Sequence, residues 1–277
     1  MKIKFWGTRG SIPVAGKDYI IYGGRTTCVE IGLNNRKKVI IDAGTGIWSL
    51  GRELESRKED VDIYLLITHI HWDHIFGFPF FSPIYNPSTR ILVDGYRSCR
   101  KGLSYSFDNK MGPSIPVSFK ELKADIQFIN KLSHGPLDID GTIIDTTPLQ
   151  HPQKGLGFRF REANKTLVFL TDNELDVNQR SFRDCITFCQ GADILIHDSH
   201  YRPEEISGHK GWGHSDYQSV LDLALKANVK KLVLFHHAPE RKDSDVVEIT
   251  IFCQDLIKRK NSNLEIEAAK ENSVLVL

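Results

Sequence analysis

An α/β fold with two β-sheets flanked by helices is what the sequence predicts, and three observations carry that expectation. β-like apolar runs recur along the whole chain, helix-like stretches return between several of them, and at 40% hydrophobic and 26% charged content the 277 residues can bury a sizeable core. The β-like runs fall near 2–6, 26–33, 38–42, 61–68, 90–94, 126–130, 142–147, 156–161, 166–171, 192–197, 231–235 and 273–277. Between the last of these, the stretch 215–227 carries Val220, Leu221, Leu223, Ala224, Leu225 and Ala227, with Ser215 available as an N-cap, and reads as a helix packed on a sheet. The stretch 245–259 reads the same way. No long linker, internal repeat or low-complexity tract interrupts the chain, so one domain over residues 1–277 is expected.

Composition says little about partners and more about compartment. A formal net charge of +1 lacks the basic excess of most nucleic-acid binders. The opening residues Met1 to Gly7 read as a short strand rather than a signal peptide, and no apolar run approaches membrane-spanning length, so a cytoplasmic protein without a membrane partner is expected. The five cysteines, Cys28, Cys99, Cys185, Cys189 and Cys253, contain no CxxC pair; they read as buried thiols rather than a disulfide framework or a cysteine metal site.

One run concentrates the chemistry. Residues 69–74 read His69-Ile70-His71-Trp72-Asp73-His74, so three of the chain's 11 histidines stand with an aspartate in a single turn. The preceding 61–68 run would deliver them to the C-terminal end of a strand, where open sheets place ligands, and a short helix beginning at His74 would end at Gly77 and Pro79. His69 and His71 can converge on one ion from the loop, while Asp73 and His74, pointing the other way, reach a second. Imidazoles with carboxylates suit zinc, with manganese or iron as alternatives.

This run resembles the HxHxDH motif of the metallo-β-lactamase fold, and the similarity extends over almost the whole chain. The resemblance implies an αββα sandwich whose two halves face each other across two metals. It also implies the remaining ligands, each after a strand-like run: His151 for the first metal, Asp172 as the carboxylate shared by both, and His236 for the second. His237 competes with His236, and the family's Leu-x-His ending favours His236. A homodimer is expected from the resemblance alone.

A zinc pair bridged by Asp172 and a water would bring that water's pKa toward about 7, supplying hydroxide at neutral pH. Hydrolysis follows, with Asp73 both a ligand and an orienting group by resemblance. The retained His71 argues against the redox branch of the family, which has a carboxylate there. Farther on, Ile196-His197-Asp198-Ser199-His200-Tyr201 and Gly211-Trp212-Gly213-His214-Ser215 resemble the acidic strand-end motif and the His-Ser-Thr loop of the RNase Z-like phosphodiesterases, although Asp216 stands where the loop has threonine. His214 is thereby the candidate general acid for a departing alkoxide, with Asp198 to orient it; a plain neighbour of a helix N-cap is the alternative.

Asp172 lies only 21 positions after His151, and strand-like runs fill the interval, whereas the tRNA-processing branch carries its tRNA-gripping arm there. A small or cyclic nucleotide-like phosphodiester is therefore the expected substrate, as in the compact branch that includes the phosphodiesterase of the carbon-phosphorus lyase pathway. A tRNA 3′-end or short-RNA endonuclease and a thioester or lactone hydrolase are the alternatives, and a metal-containing sensor without turnover is a third. The pocket is less readable. Phe78, Phe80 and Phe81 are expected to pack the helix after the motif, and the aromatics of 104–113 are candidates for stacking on a base. Arg9 and Arg25, each in a glycine-containing turn, are candidate phosphate contacts, as are His200, His209 and Lys210 beside the candidate acid; His134 has no assigned role.

Overall fold

A computed structural model describes residues 1–57, 61–105, 107 and 117–277. Its strands fall into two seven-stranded sheets. The first runs β14 (Val274–Val276), β1 (Lys2–Gly7), β2 (Cys28–Gly32), β3 (Lys38–Ile41), β4 (Val61–Ile67), β5 (Thr89–Gly95) and β6 (Asp125–Phe128). The second runs β13 (Glu265–Ala268), β12 (Lys231–Phe235), β11 (Ile194–Asp198), β10 (Lys165–Leu170), β9 (Gly155–Glu162), β8 (Thr142–Leu149) and β7 (Leu137–Ile139). Each sheet is parallel on one side and antiparallel on the other: β3 to β6 and β10 to β13 are the parallel sets.

Buried side chains fall into three layers, which makes the αββα sandwich. Ile31, Val39 and Ile41 of the first sheet meet Phe158, Phe169 and Phe235 of the second between the sheets. Helices α1 (Ile47–Arg57) and α3 (Cys99–Tyr105) cover the outer face of the first sheet through Ile47, Leu50 and Leu103. Helices α4 (Arg180–Cys189), α5 (Tyr217–Lys226) and α6 (Asp243–Arg259) cover the second through Phe182, Val220 and Ile249. The interior parallel strands, covered on both faces, are near-continuous apolar runs for that reason, whereas the edge strands β6 and β13 are not. All five cysteines are buried free thiols. Among the described residues no helix is long and apolar enough to cross a membrane.

Several local expectations need correction. Strands β7 and β13 lack a distinctive apolar run, and their short Leu-Asp-Ile and Glu-Ile-Glu-Ala segments pair at the two edges of the second sheet. Asp216, not Ser215, caps α5, accepting the Gln218 and Ser219 amides with its carboxylate. The helix after the histidine motif, α2 (Trp72–Ile75), starts two residues before His74, and Pro79 sits inside the following 3₁₀ turn, Phe78–Phe80. Phe78 and Phe81 are fully buried as expected, but Phe80 is half exposed. Phe107 is buried against Phe78 and Phe119; residues 106 and 108–113 of the proposed stacking segment lie outside the described residues.

Arg9 is also corrected, from candidate phosphate contact to internal brace. Its side chain is fully buried, with Nε donating to the Gly23 carbonyl at 2.7 Å and Nη1 to those of Ala238 and Arg241 at 3.2 and 2.6 Å. Its backbone bridges to both Thr26 and His237, so the segment after β1 stitches the end of one sheet to the end of the other. Arg25 is held by Glu271, 3.0 Å away. Replacing Arg9 by alanine strands three carbonyls and leaves Asp243 without its facing cation. Arg9→Ala is expected to cost about 3–5 kcal/mol in denaturant unfolding, and Arg9→Lys to recover only part because a single ammonium cannot reproduce the fork; wild-type stability in the alanine variant would contradict this.

Candidate metal centre

The site forms where strand ends of both sheets meet. β4 delivers His69 and His71; the backbone then turns into α2, with His71 in the extended N-cap position, so Asp73 and His74 leave the loop in a different direction. β8 leads to His151, β10 to Asp172 and β12 to His236. Possible ligand atoms of His69, His71, His151 and Asp172 lie within 4.8 Å of one another, and so do those of Asp73, His74, Asp172 and His236. All seven sequence-expected residues are thus gathered, in two groups that share Asp172. Its two oxygens divide the work: Oδ2 faces Nε2 of His69 at 3.3 Å and of His151 at 3.8 Å, while Oδ1 faces Nε2 of His74 at 3.4 Å and of His236 at 3.2 Å. Asp73 Oδ2 completes the second group, 3.3 Å from His74 and 3.1 Å from His236.

Hydrogen bonds around the cluster set its chemistry. His69 Nδ1 lies 3.0 Å from the Thr68 hydroxyl, which donates to Asp42, and His74 Nδ1 lies 2.7 Å from Asp42 Oδ2. Both Nδ1 positions are therefore donors, and their Nε2 atoms are buried lone pairs with no hydrogen-bond partner. Lone pairs facing carboxylate oxygens across little more than 3 Å call for positive charge between them, so the donor set fits a pair of cations. Burial alone would raise the carboxyl groups of Asp73 and Asp172, yet the surrounding histidines hold both well below the usual range. Burial and neighbouring imidazoles push His71 down to about 4 and His151 to about 3, which keeps them in the neutral form that ligates metal.

Sequence reasoning missed three supports. Asp42 follows the apolar β3 run as Asp172 follows β10, and that shared pattern was the available signal. The Ser11 amide donates to Asp73 Oδ2 at 2.7 Å. Gly10 packs so closely under His236 that a Cβ there would lie 2.3 Å from the ring, which explains the glycine. His237 turns away, bonding the Ala269 carbonyl at 3.0 Å, and His134 is exposed.

His214 lies beside the second group, its ring centroid 5.0 Å from that of His236 and 4.4 Å from that of His200. Burial pulls its pKa down, but the Asp172 and Asp198 carboxylates more than offset this and hold it above the ordinary value. Asp198 acts mainly on the backbone: it accepts the Asn173 amide at 3.0 Å and the Ser215 amide at 2.9 Å, while His214 Nδ1 stands 3.7 Å away. It therefore fixes the loop that carries His214 rather than gripping the ring. His200 bonds the His236 carbonyl at 3.2 Å, His209 Nδ1 lies 2.8 Å from the Glu205 carbonyl oxygen, and Lys210 is exposed.

Residues 37–237 match the family model described as Beta-lactamase superfamily domain. The chain is 22% identical to Ribonuclease Z of Picrophilus torridus, with 89% of this chain and 88% of that protein covered. Its fold is similar to the metallo-beta-lactamase fold protein YhfI from Bacillus subtilis, with a TM-score of 0.71, 18% identity and coverage of 99% and 98%. It is similar also to a diphosphatase from the PhnP family, with a TM-score of 0.66, 17% identity and coverage of 100% and 97%.

Because Asp42 fixes His74 and, through Thr68, His69, Asp42→Asn is expected to weaken metal binding about 10–100-fold. Metal titration followed by elemental analysis checks this, and unchanged affinity would remove Asp42 from the site's architecture.

Proposed function

The chain belongs to the beta-lactamase superfamily and is a metal-dependent hydrolase; from that premise we propose that it hydrolyses small or cyclic nucleotide-like phosphodiesters at a dinuclear site. The observation that carries this reading is the division of the Asp172 carboxylate between two groups of histidines, with His214 stacked at the edge of one of them. In this reading His69, His71, His151 and Asp172 hold one ion and Asp73, His74, Asp172 and His236 the other, with zinc favoured by the imidazole-rich set and manganese or iron as alternatives. Two such ions, when bound, acidify a water and polarise the ester under attack.

The protein's own groups do the rest. Asp73, kept in place by the Ser11 amide, orients the incoming water. His214 gives its proton to the departing alkoxide oxygen, and the field of Asp172 and Asp198 favours the protonated imidazole that this requires. Asp198 is a positioning residue, holding the 214–215 backbone against the strand end.

Support for a small substrate comes from the hairpin between His151 and Asp172. β9 and β10 pair from Lys165 opposite Glu162, so a tight turn fills the interval where an RNA-gripping arm would stand. Similarity to proteins named Ribonuclease Z keeps short RNA or tRNA 3′ ends as the second reading, recognised by cleavage that falls steeply with added salt. For a thioester, whose thiolate leaves without help, His214 would matter little.

The test is turnover of a cyclic mononucleotide panel by zinc- or manganese-loaded protein, followed by mass spectrometry. Wild type should give linear monophosphate, His214→Ala should lose about 10² to 10⁴-fold in rate, and Asp172→Ala should bind less metal and give no product. Absence of product from every member of the panel would move the reading to RNA ends or thioesters. A homodimer is part of the same proposal, and exposed Trp48, Trp72, Phe76 and Phe80 offer apolar surface for it; light scattering at monomer mass would exclude it.

A further inference from the structure

A cleft of about 510 Å³ opens beside His214, and Ser11, Ile12, His200, Trp212 and Arg241 are among the residues that line it. Its volume lies in the range of small-molecule sites. His214 and Ser11 tie it to the candidate centre, since Ser11 holds Asp73 and His214 stacks on His236.

Trp212 is the indole on the cleft wall. It is 61% exposed and lines the cleft beside the candidate acid, so its ring is open to a ligand there. The loop around it is rigid. Glu174 accepts the amides of Gly211, at 2.8 Å, and of Gly213, at 2.9 Å, so one carboxylate grips both sides of the tryptophan. Gly211 and Gly213 have φ values of 85° and 87°, and a Cβ on Gly213 would lie 2.3 Å from the His151 ring. The loop is thus braced directly against a metal-site histidine. Trp212 meets the His209 ring edge-on at 5.0 Å, and His209 stacks on Tyr201 at 4.5 Å. The backbone on both sides of the indole is thus held by Glu174, and the ring itself rests edge-on against His209, so part of the ordering that a stacking platform needs is in place before a ligand arrives.

Charge narrows the ligand. Glu205 and Glu240 stand on the cleft wall, and the Arg241 guanidinium is already paired with Glu205. Among the described residues that line the cleft, the one arginine is already paired and no lysine stands beside it, so an extended polynucleotide is disfavoured.

We propose that this cleft is the subsite for the nucleoside side of the ester and that Trp212 stacks on the base of a mononucleotide carrying one phosphate. This deepens, and rests on, the phosphodiesterase reading above. Trp212 acts by binding, not by moving a proton. A direct test is titration of adenosine monophosphate and of ribose 5-phosphate into metal-loaded wild type, Trp212→Ala and Trp212→Phe, by calorimetry and by quenching of tryptophan emission, with cyclic-nucleotide KM measured in parallel.

Wild type should bind adenosine monophosphate about tenfold or more tightly than ribose 5-phosphate, as expected for one base–aromatic stack. Trp212→Ala should erase that preference and raise KM by a similar factor, and Trp212→Phe should keep most of it. The proposal is overturned if Trp212→Ala binds adenosine monophosphate as wild type does, or if wild type shows no preference for the base. Failure of the phosphodiesterase reading looks different: base-dependent binding through Trp212 would persist with no cyclic nucleotide turned over.

Discussion

The Asp172 carboxylate is the constraint on which the centre depends. It is fully buried, it faces four imidazoles from three separate segments, and each of its oxygens belongs to a different group of them. An isolated carboxylate at that depth would be prohibitively expensive. Here it is the common counter-charge that draws His69 and His151 on one side and His74 and His236 on the other into contact distance. The two sheets must therefore end at the same place, and the apolar layer between them, with Phe169 and Phe235 on the strands leading to Asp172 and His236, holds them there.

Delivering side chains from strand ends to one point needs sharp turns of the backbone. Asp42, Asp172 and His236 each follow a parallel strand and each adopts positive φ, 61°, 59° and 54° respectively. Non-glycine residues resist that conformation, and the strain is characteristic of functional sites where surrounding structure over-determines the backbone. The surroundings are identifiable. Asp42 is held by the Thr68 amide and hydroxyl and by His74, while the ring of His236 lies over Gly10. Arg9 fixes the Gly10 segment from behind, which is how a fully buried guanidinium remote from any substrate bears on the metal site.

What could be read from the sequence follows from which interactions are local. His69 to His74 sit within one turn, so their joint purpose showed directly in their spacing. The interior parallel strands were visible because burial on both faces leaves an apolar run. Edge strands β7 and β13 were not, since half of each is solvent-facing and their pairing is decided by the neighbouring strand. Asp42 and Ser11 escaped notice because their roles depend on contacts with residues 32 and 62 positions away. Arg9 was misread for a related reason: an arginine between glycines suggests an anion site until the carbonyls of Gly23, Ala238 and Arg241 are seen around it.

The residues that build the metal groups do not by themselves choose the substrate, because the same donors can serve any ester or thioester. Selection must come from what surrounds them, and here two features act in the same direction. The β9–β10 hairpin closes the interval after His151 with no protruding segment, and the cleft beside His214 has acidic groups on its wall, with its arginine already paired. In the small-substrate reading a polyanion would find the one arginine among the residues lining that cleft already paired, so its association would gain little from counterion release there. A compact ester carrying one phosphate needs only the metal groups for its charge, leaving the cleft free to recognise the uncharged remainder by shape and stacking. In the proposed arrangement Gly213 would serve both ends of such a substrate, since the close approach to His151 that it permits also sets where Trp212 stands.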